Sequence, residues 1–334
     1  VPGTQLLSYF QLGKEGTAGT AVAATRMLYP DGTGLWNLDR MRTRHDSANR
    51  GTRTNITHVT QQGVSLRIPF RTAPDVGVAY DELIYPFSQI KGGVTGSGGG
   101  ADKTWTFTPS QTGANSQESY TIEFGDDVQN YEAEYCQASD FTLSAGVDDL
   151  TQLEMNWFGR QSTKSSKTSV SANNGVKIPG YLWKIRFATA QSGLSGASDV
   201  NNFLVGWSLN VQTGLVPRKY QDGNAYFGQS VEAAPLRGTL TMQVESTAQA
   251  VSQFYDKAAA DTIDFIQLKA TGPSLGSSNY SAQIQMAVSY DDPEVIGAES
   301  DGVNLYNVTA QLVYDSTWTN SIVAVVVNSL AAIP

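Results

Sequence analysis

The sequence predicts a mainly β chain with two flanking helices, an α+β fold. Three observations carry that expectation. Apolar residues recur at every second position through many segments, the period of a strand with one buried face. Only two segments show the 3.6-residue period of an amphipathic helix. Glycine is frequent, 32 in 334 residues, and groups between the alternating runs.

The elements follow in order. Val64, Leu66, Ile68 and Phe70 alternate with polar residues and proline, so 64–70 reads as a strand. A helix is expected over 75–89, with Val76, Tyr80, Leu83, Ile84 and Phe87 on one stripe and Pro86 to kink or end it. Strands are expected near 104–108, 119–124, 131–143 and 150–158. Phe203, Val205, Trp207, Leu209 and Val211 mark another. A strand at 238–245 leads into a second helix at 246–261, opened by Ser246-x-x-Gln249, a capping-box pattern. Strands near 263–270, 280–290, 303–315 and 321–328 complete the chain. Between them, 92–100, 161–175 and 272–279 are rich in Gly, Ser, Thr or Asn and read as loops.

The order strand, helix, four strands occurs twice. It divides the chain into 1–175 and 176–334, with a repeat of pattern and negligible identity between the halves. In the clearest strands, Tyr280 to Tyr290 and Tyr306 to Tyr314, the residues opposite the apolar ones are Ser, Gln, Asn and Thr. Each sheet is therefore expected to have one apolar face and one face of small neutral polar groups.

Composition narrows function. Charged residues make up 16%, against roughly 25% in average domains. With 22 Lys and Arg against 31 Asp and Glu the net charge is −9, which disfavours gripping phosphates. No stretch approaches the length of an apolar transmembrane helix. Val1-Pro2-Gly3 begins no charged-then-apolar leader pattern, so none is expected. A single cysteine, Cys136, excludes an intramolecular disulfide framework.

Charge is unevenly placed. Between Lys103 and Arg160 there is no cation and there are ten acids. Glu132 and Glu134 alternate with Tyr131, Ala133 and Tyr135, so both carboxylates are expected on the solvent face of one strand. Conversely Arg40, Arg42, Arg44, Arg50 and Arg53 fall within fourteen residues. Each run reads either as a solvated face or as one of two surfaces that complement each other between subunits.

Enzyme signatures are absent: no G-x-S-x-G, H-E-x-x-H, C-x-x-C or P-loop pattern occurs. Gly96 to Ala101 fits a lax G-x-G-x-x-[GA], yet a strand follows where a dinucleotide fingerprint needs a helix. The carboxylate neighbours Asp126 with Asp127 and Glu132 with Glu134 show no sign of the desolvation that a catalytic pair requires. His45 and His58 lie in a polar segment, and Trp105, Trp157 and Trp207 read as core. Neither enzyme activity, cofactor nor metal is expected.

The chain resembles a known group, the major tail tube proteins of long-tailed bacteriophages (siphophages). The run Gln11-Leu12-Gly13-Lys14-Glu15-Gly16-Thr17-Ala18-Gly19-Thr20 is similar to that family's opening arm, and Met27-Leu28-Tyr29-Pro30-Asp31 to the turn after it. Ser119 to Glu123 and Cys136 to Ser144 resemble its central strands. The resemblance spans about residues 1–160. It implies a structural virion protein of the phage tail, assembled in the host bacterial cytoplasm. It further implies two tandem tail-tube-type β-sandwich/barrel domains whose inner sheets line a channel. Members with two fused copies form trimeric pseudo-hexameric rings, and single-copy members form hexamers. The rings stack, with a tape measure protein and a tail terminator as partners, and viral DNA passes through without specific binding.

On that reading Glu123, Glu132, Glu134 and Glu154 are candidates for the lumen, where fixed negative charge repels phosphate. Arg40, Arg42, Arg44, Arg50 and Arg53 are candidates for contacts between rings or subunits. The alternative is a carbohydrate- or receptor-binding β-sandwich module on a virion, which predicts exposed aromatics in a groove. A membrane β-barrel, expected to carry a leader and apolar residues toward lipid, fits less well, since no leader is expected here and Leu330-Ala331-Ala332-Ile333-Pro334 offers no terminal aromatic.

Overall fold

The computed structural model describes residues 8–31, 40–46, 57–64, 66–300 and 302–334. Twenty strands are described, and every pairing between them is antiparallel. In the first half they are β1 (Tyr9–Lys14), β2 (Arg26–Leu28), β3 (Arg40–Asp46), β4 (Thr57–Val64), β5 (Leu66–Arg71), β6 (Lys103–Phe107), β7 (Tyr120–Gly125), β8 (Asn130–Gly146), β9 (Gln152–Gly159) and β10 (Gln161–Ser165). In the second they are β11 (Trp183–Ala188), β12 (Leu204–Gln212), β13 (Leu215–Arg218), β14 (Gln229–Glu232), β15 (Arg237–Glu245), β16 (Asp264–Leu275), β17 (Ser278–Tyr290), β18 (Glu294–Ser300), β19 (Val303–Leu312) and β20 (Ile322–Asn328). The fold class expected from alternation is thus the observed one, mainly β with short helices. The main sheet is open; it does not close into a barrel among the described residues.

One sheet of sixteen strands runs through both halves. Its first part has the order β1–β7–β8–β9–β5, with β10 on the N-terminal stretch of β8. Its second part has the order β11–β16–β17–β19–β15, with β20 on the N-terminal stretch of β17. The two orders match strand for strand, and in each the helical segment follows β5 or β15. The long strand β8 is matched by β17 and β18 together, because β19 pairs with β17 through Leu312 to Ala310 and then with β18 through Asn307 to Val303. Asp291, Asp292 and Pro293 interrupt the second copy of this strand. A simple alignment of strand order pairs β6 with β16. The hydrogen-bonded order instead pairs β7 with β16 and leaves β6 without a counterpart, as an extra strand beside β20.

Strand β8 reaches seventeen residues by changing neighbours. Asn130 to Cys136 lie between β7 and β10, and Asp140 to Gly146 between β9 and β12. Two register shifts make the change, one beside Tyr135 (φ 52°) and one between Ala138 and Asp140. Each shift inserts a residue and turns the following side chains to the opposite face. The positions in the main hydrophobic core accordingly run Ala133, then Cys136 and Ala138, then Phe141, Leu143 and Ala145.

The helices are shorter than their periodicity suggests. Within 75–89 only α1 (Ile84–Ser88) is helical, and the residues before it form turns. Pro86 lies in its first turn, where a missing N–H costs nothing, rather than at its end. Residues 78–90 are buried throughout, so this segment is a core plug and not an amphipathic stripe. In the second half, α2 (Ala248–Ala250) and α3 (Asp256–Ala259) flank a π-turn over Val251–Tyr255. The cap is Thr247, whose side chain accepts from the Ala250 N–H; Ser246 does not cap. Phe254 points from this turn into the core, against Phe187, Phe203 and Tyr290.

Two expected loops contain strands. Residues 161–165 form β10, and 272–279 is mostly hairpin, closed by Gly276 at φ 61°, a conformation suited to glycine. One hydrophobic core spans both halves, from Phe10 to Ile333. Trp105, Trp157 and Trp207 all lie in it. Cys136 is fully buried there, and burial pushes its thiol well above the usual range.

Candidate functional site

The feature that stands out is a wide polar face assembled from both halves. On β8, β9, β12, β15 and β19 the inward side chains are Phe141, Leu143, Leu153, Met155, Leu209, Val211, Leu240, Met242, Val308 and Ala310, all buried. Side chains alternate along a strand, and directly opposed residues share a face. The register therefore lines up one row on the other face: Arg71 (β5), Glu154 (β9), Thr142 (β8), Asn210 (β12), Thr239 (β15), Gln311 (β19) and Ser289 (β17). The next row is Gln152, Ser144, Ser208, Thr241 and Thr309. Every member of both rows is half-buried or exposed.

Chemically these rows are amides and hydroxyls. Asn210 Nδ2 donates to Thr142 Oγ1 at 2.9 Å, and Thr239 Oγ1 donates to Gln311 Oε1 at 2.9 Å. The one charged pair in the two rows is at the β5 edge, where Arg71 Nε meets Glu154 Oε1 at 3.0 Å with both side chains about half exposed. Asp140 and Arg237 lie a row further toward one end. From β5 to β19 the face is six strands wide, roughly 24 Å at about 4.8 Å per gap.

The four candidate glutamates divide between three environments. Glu154 stands on the polar face just described. Glu123, expected at a solvent-facing lumen, is 1% exposed. Its carboxylate accepts from Gln11 Nε2 at 2.7 Å, Ala24 N at 3.1 Å, Thr168 N at 3.0 Å and Thr168 Oγ1 at 2.6 Å. Four donors match the acceptor sites of one carboxylate. The returning N-terminal arm and the segment around Thr168 cover it, which alternation along β7 alone could not reveal.

Glu132 and Glu134 are half-buried on β8. Glu132 lies directly across from Glu123 and Thr163. Desolvation first, and then the charges of Glu123 and Glu134, raise its pKa above the ordinary carboxylate value. Glu134 is ion-paired instead of free: Arg160 reaches its Oε1 from Nη2 at 2.7 Å and from Nε at 2.9 Å. Thus the first cation after the acidic stretch folds back onto it.

Sequence reading overlooked a second carboxylate knot. Glu15, 4% exposed, accepts from Gly19 N, Ser119 Oγ, Thr121 Oγ1 and the backbone N–H of Tyr135. Glu15 and Glu123 together bind the N-terminal arm to β7 and β8.

Of the arginine candidates, Arg40, Arg42 and Arg44 fall on β3, opposite Val64, Gln61 and Val59 of β4. Arg50 and Arg53 lie outside the described residues. His45 and His58 are directly opposed across the same ladder. No group of three or more His, Cys, Asp or Glu able to hold a metal occurs among the described residues. No helix described is long and apolar enough to cross a membrane.

Fold and face together define an antiparallel β protein whose two halves share one solvent-facing sheet, neutral and polar from β8 to β19. No protein-family model and no curated protein sequence matches the chain.

Proposed function

We propose that this chain is a structural subunit that assembles with copies of itself into rings, the rings stacking into a phage-type tail tube through which DNA passes. Its inner wall is the polar sheet face. The observation that carries this reading is the continuity of that face across both halves. Apart from Arg71, which Glu154 pairs at the β5 edge, the rows are Thr, Asn, Ser and Gln and offer a passing duplex no cation, and phosphate contacts dominate nucleic-acid affinity. The matched strand orders of the two parts support two tandem tube-type domains. Two such domains per chain make a trimeric ring with pseudo-sixfold symmetry.

The lumen assignment moves accordingly. Thr142, Ser208, Asn210, Thr239, Thr241 and Gln311 take the place of Glu123, and Glu154 stays. The alternative, a carbohydrate- or receptor-binding module, draws no support from the exposed aromatics. Tyr181, Tyr220, Tyr255 and Tyr314 lie in four separate segments, and none belongs to either row.

Negative-stain microscopy of the purified protein tests the proposal. Rings or tubes with an open lumen are the expected result, and dispersed small particles at high concentration overturn it. A double variant, Thr241→Lys with Gln311→Lys, should still form rings. It should retain short duplex DNA at low salt and release it as salt rises. Equal DNA retention by wild type and variant would refute the placement of the wall.

A further inference from the structure

The matched strand orders expose two open sheet edges that belong to one junction. Inside the chain, β12 fills a gap between the halves. One edge of β12 pairs with the C-terminal stretch of β8, Asp140 to Gly146, and the other pairs with the whole of β15. The counterpart of that stretch of β8 is β18, and the counterpart of β15 is β5. Strand β18 pairs with β19 on one side. Strand β5 pairs with β9 on one side. On their other sides neither has a strand partner among the described residues. Both edges therefore stand where β12's two neighbours stand, but at opposite ends of the chain.

We infer that a second copy of this chain docks on the open edge of β18, presenting the side of its first half on which residues 29–31 run beside β5. The internal β8–β12–β15 junction is then repeated between copies. Two details fit. Glu245 N donates to Phe203 O where the chain approaches the end of β15, and Ala73 N donates to Tyr29 O where it approaches the end of β5. The chain ahead of each receiving strand thus arrives the same way. Also, an open row of N–H and C=O groups on a strand is a template for pairing with another chain.

The contact is head-to-tail, since β18 and β5 are different surfaces. Such contacts close into rings when the rotation permits. This inference rests on the ring-building reading and names the surfaces that reading needs.

Two experiments test it. In the β18–β19 ladder, Ser300 opposes Val303 at the turn and Glu299 opposes Asn304. Alternate residues of an antiparallel ladder direct their backbone groups outward, and Glu299 is next to the turn-closing pair. Glu299→Pro removes an outward N–H without taking one from the β19 ladder. In sedimentation velocity the wild type should run as a closed oligomer and the variant as a monomer, with unchanged circular dichroism. Separately, Glu299→Cys and Arg71→Cys chains are mixed and treated with a bis-maleimide spanning about 10 Å, two strand spacings. The native Cys136 is buried and does not compete. A cross-linked dimer should form only when both variants are present.

Assembly of Glu299→Pro like wild type, with no mixed dimer, overturns the edge assignment while ring building stands. A mixed dimer sustains the assignment even where the proline variant fails to fold. A wild type that stays monomeric at every concentration overturns both.

Discussion

Replacing Glu123 by alanine separates a buried structural carboxylate from a surface one. Four donors lose their acceptor in Glu123→Ala. Gln11 and Ala24 are buried, so their donors are left without water. Such orphans cost about 1–3 kcal/mol each. Thr168 is half-buried, so its two donors rehydrate at about 0.5–1 kcal/mol each. The sum is about 3–8 kcal/mol, a large part of the roughly 5–15 kcal/mol that holds a protein folded. Unfolding entropy of about 2.1 cal/mol/K per residue gives about 0.7 kcal/mol/K for a chain of 334 residues. The melting temperature should therefore fall by about 4–11 °C in differential scanning calorimetry. Glu154→Ala is the control. Its exposed pair with Arg71 is worth less than about 1 kcal/mol, so Tm should move by about 1 °C. Equal shifts in the two variants would show that Glu123 is not the knot its hydrogen bonds describe.

Three further outcomes are expected. Glu132 has a folded-state pKa raised by desolvation and by Glu123 and Glu134, so its ionisation disfavours the fold as pH rises through that value. Glu132→Gln should raise Tm slightly at pH 7 and leave it unchanged below about pH 4, where both states are protonated; a constant shift at both pH values contradicts this. Phe254→Ala empties the junction of Phe187, Phe203 and Tyr290 and should cost about 3–5 kcal/mol in denaturant unfolding. The Cys136 thiol should resist an aromatic disulfide reagent in the native protein and react once in denaturant; rapid native reaction would show the region opens easily.

The alternation at Tyr280 to Tyr290 and Tyr306 to Tyr314 makes the polar and apolar faces legible in the sequence itself. What it could not show is which strands adjoin. The row Thr142, Asn210, Thr239, Gln311 joins residues up to 169 positions apart (311 − 142), and only non-local pairing brings them together. Alternation also fails locally at the two register shifts of β8, because an inserted residue reverses the faces without altering the composition. Glu123 was misplaced for another reason. Its strand presents it to a polar face as expected, but Ala24 and Thr168 roof that part of the face. The helix at 75–89 shortened because its stripe residues are buried all round, so packing, not amphipathicity, sets its backbone.

The polar rows also bear on friction. A wall of hydroxyls and amides trades hydrogen bonds with water at little net cost. If a polyanion moves across it, then from β8 to β19 it meets a hydration layer with neither charged wells to escape nor charged hills to climb. Drag over the neutral stretch from β8 to β19 should accordingly change little with ionic strength, in contrast to a surface patterned with lysines or carboxylates, whose fields rise and fall with the screening length.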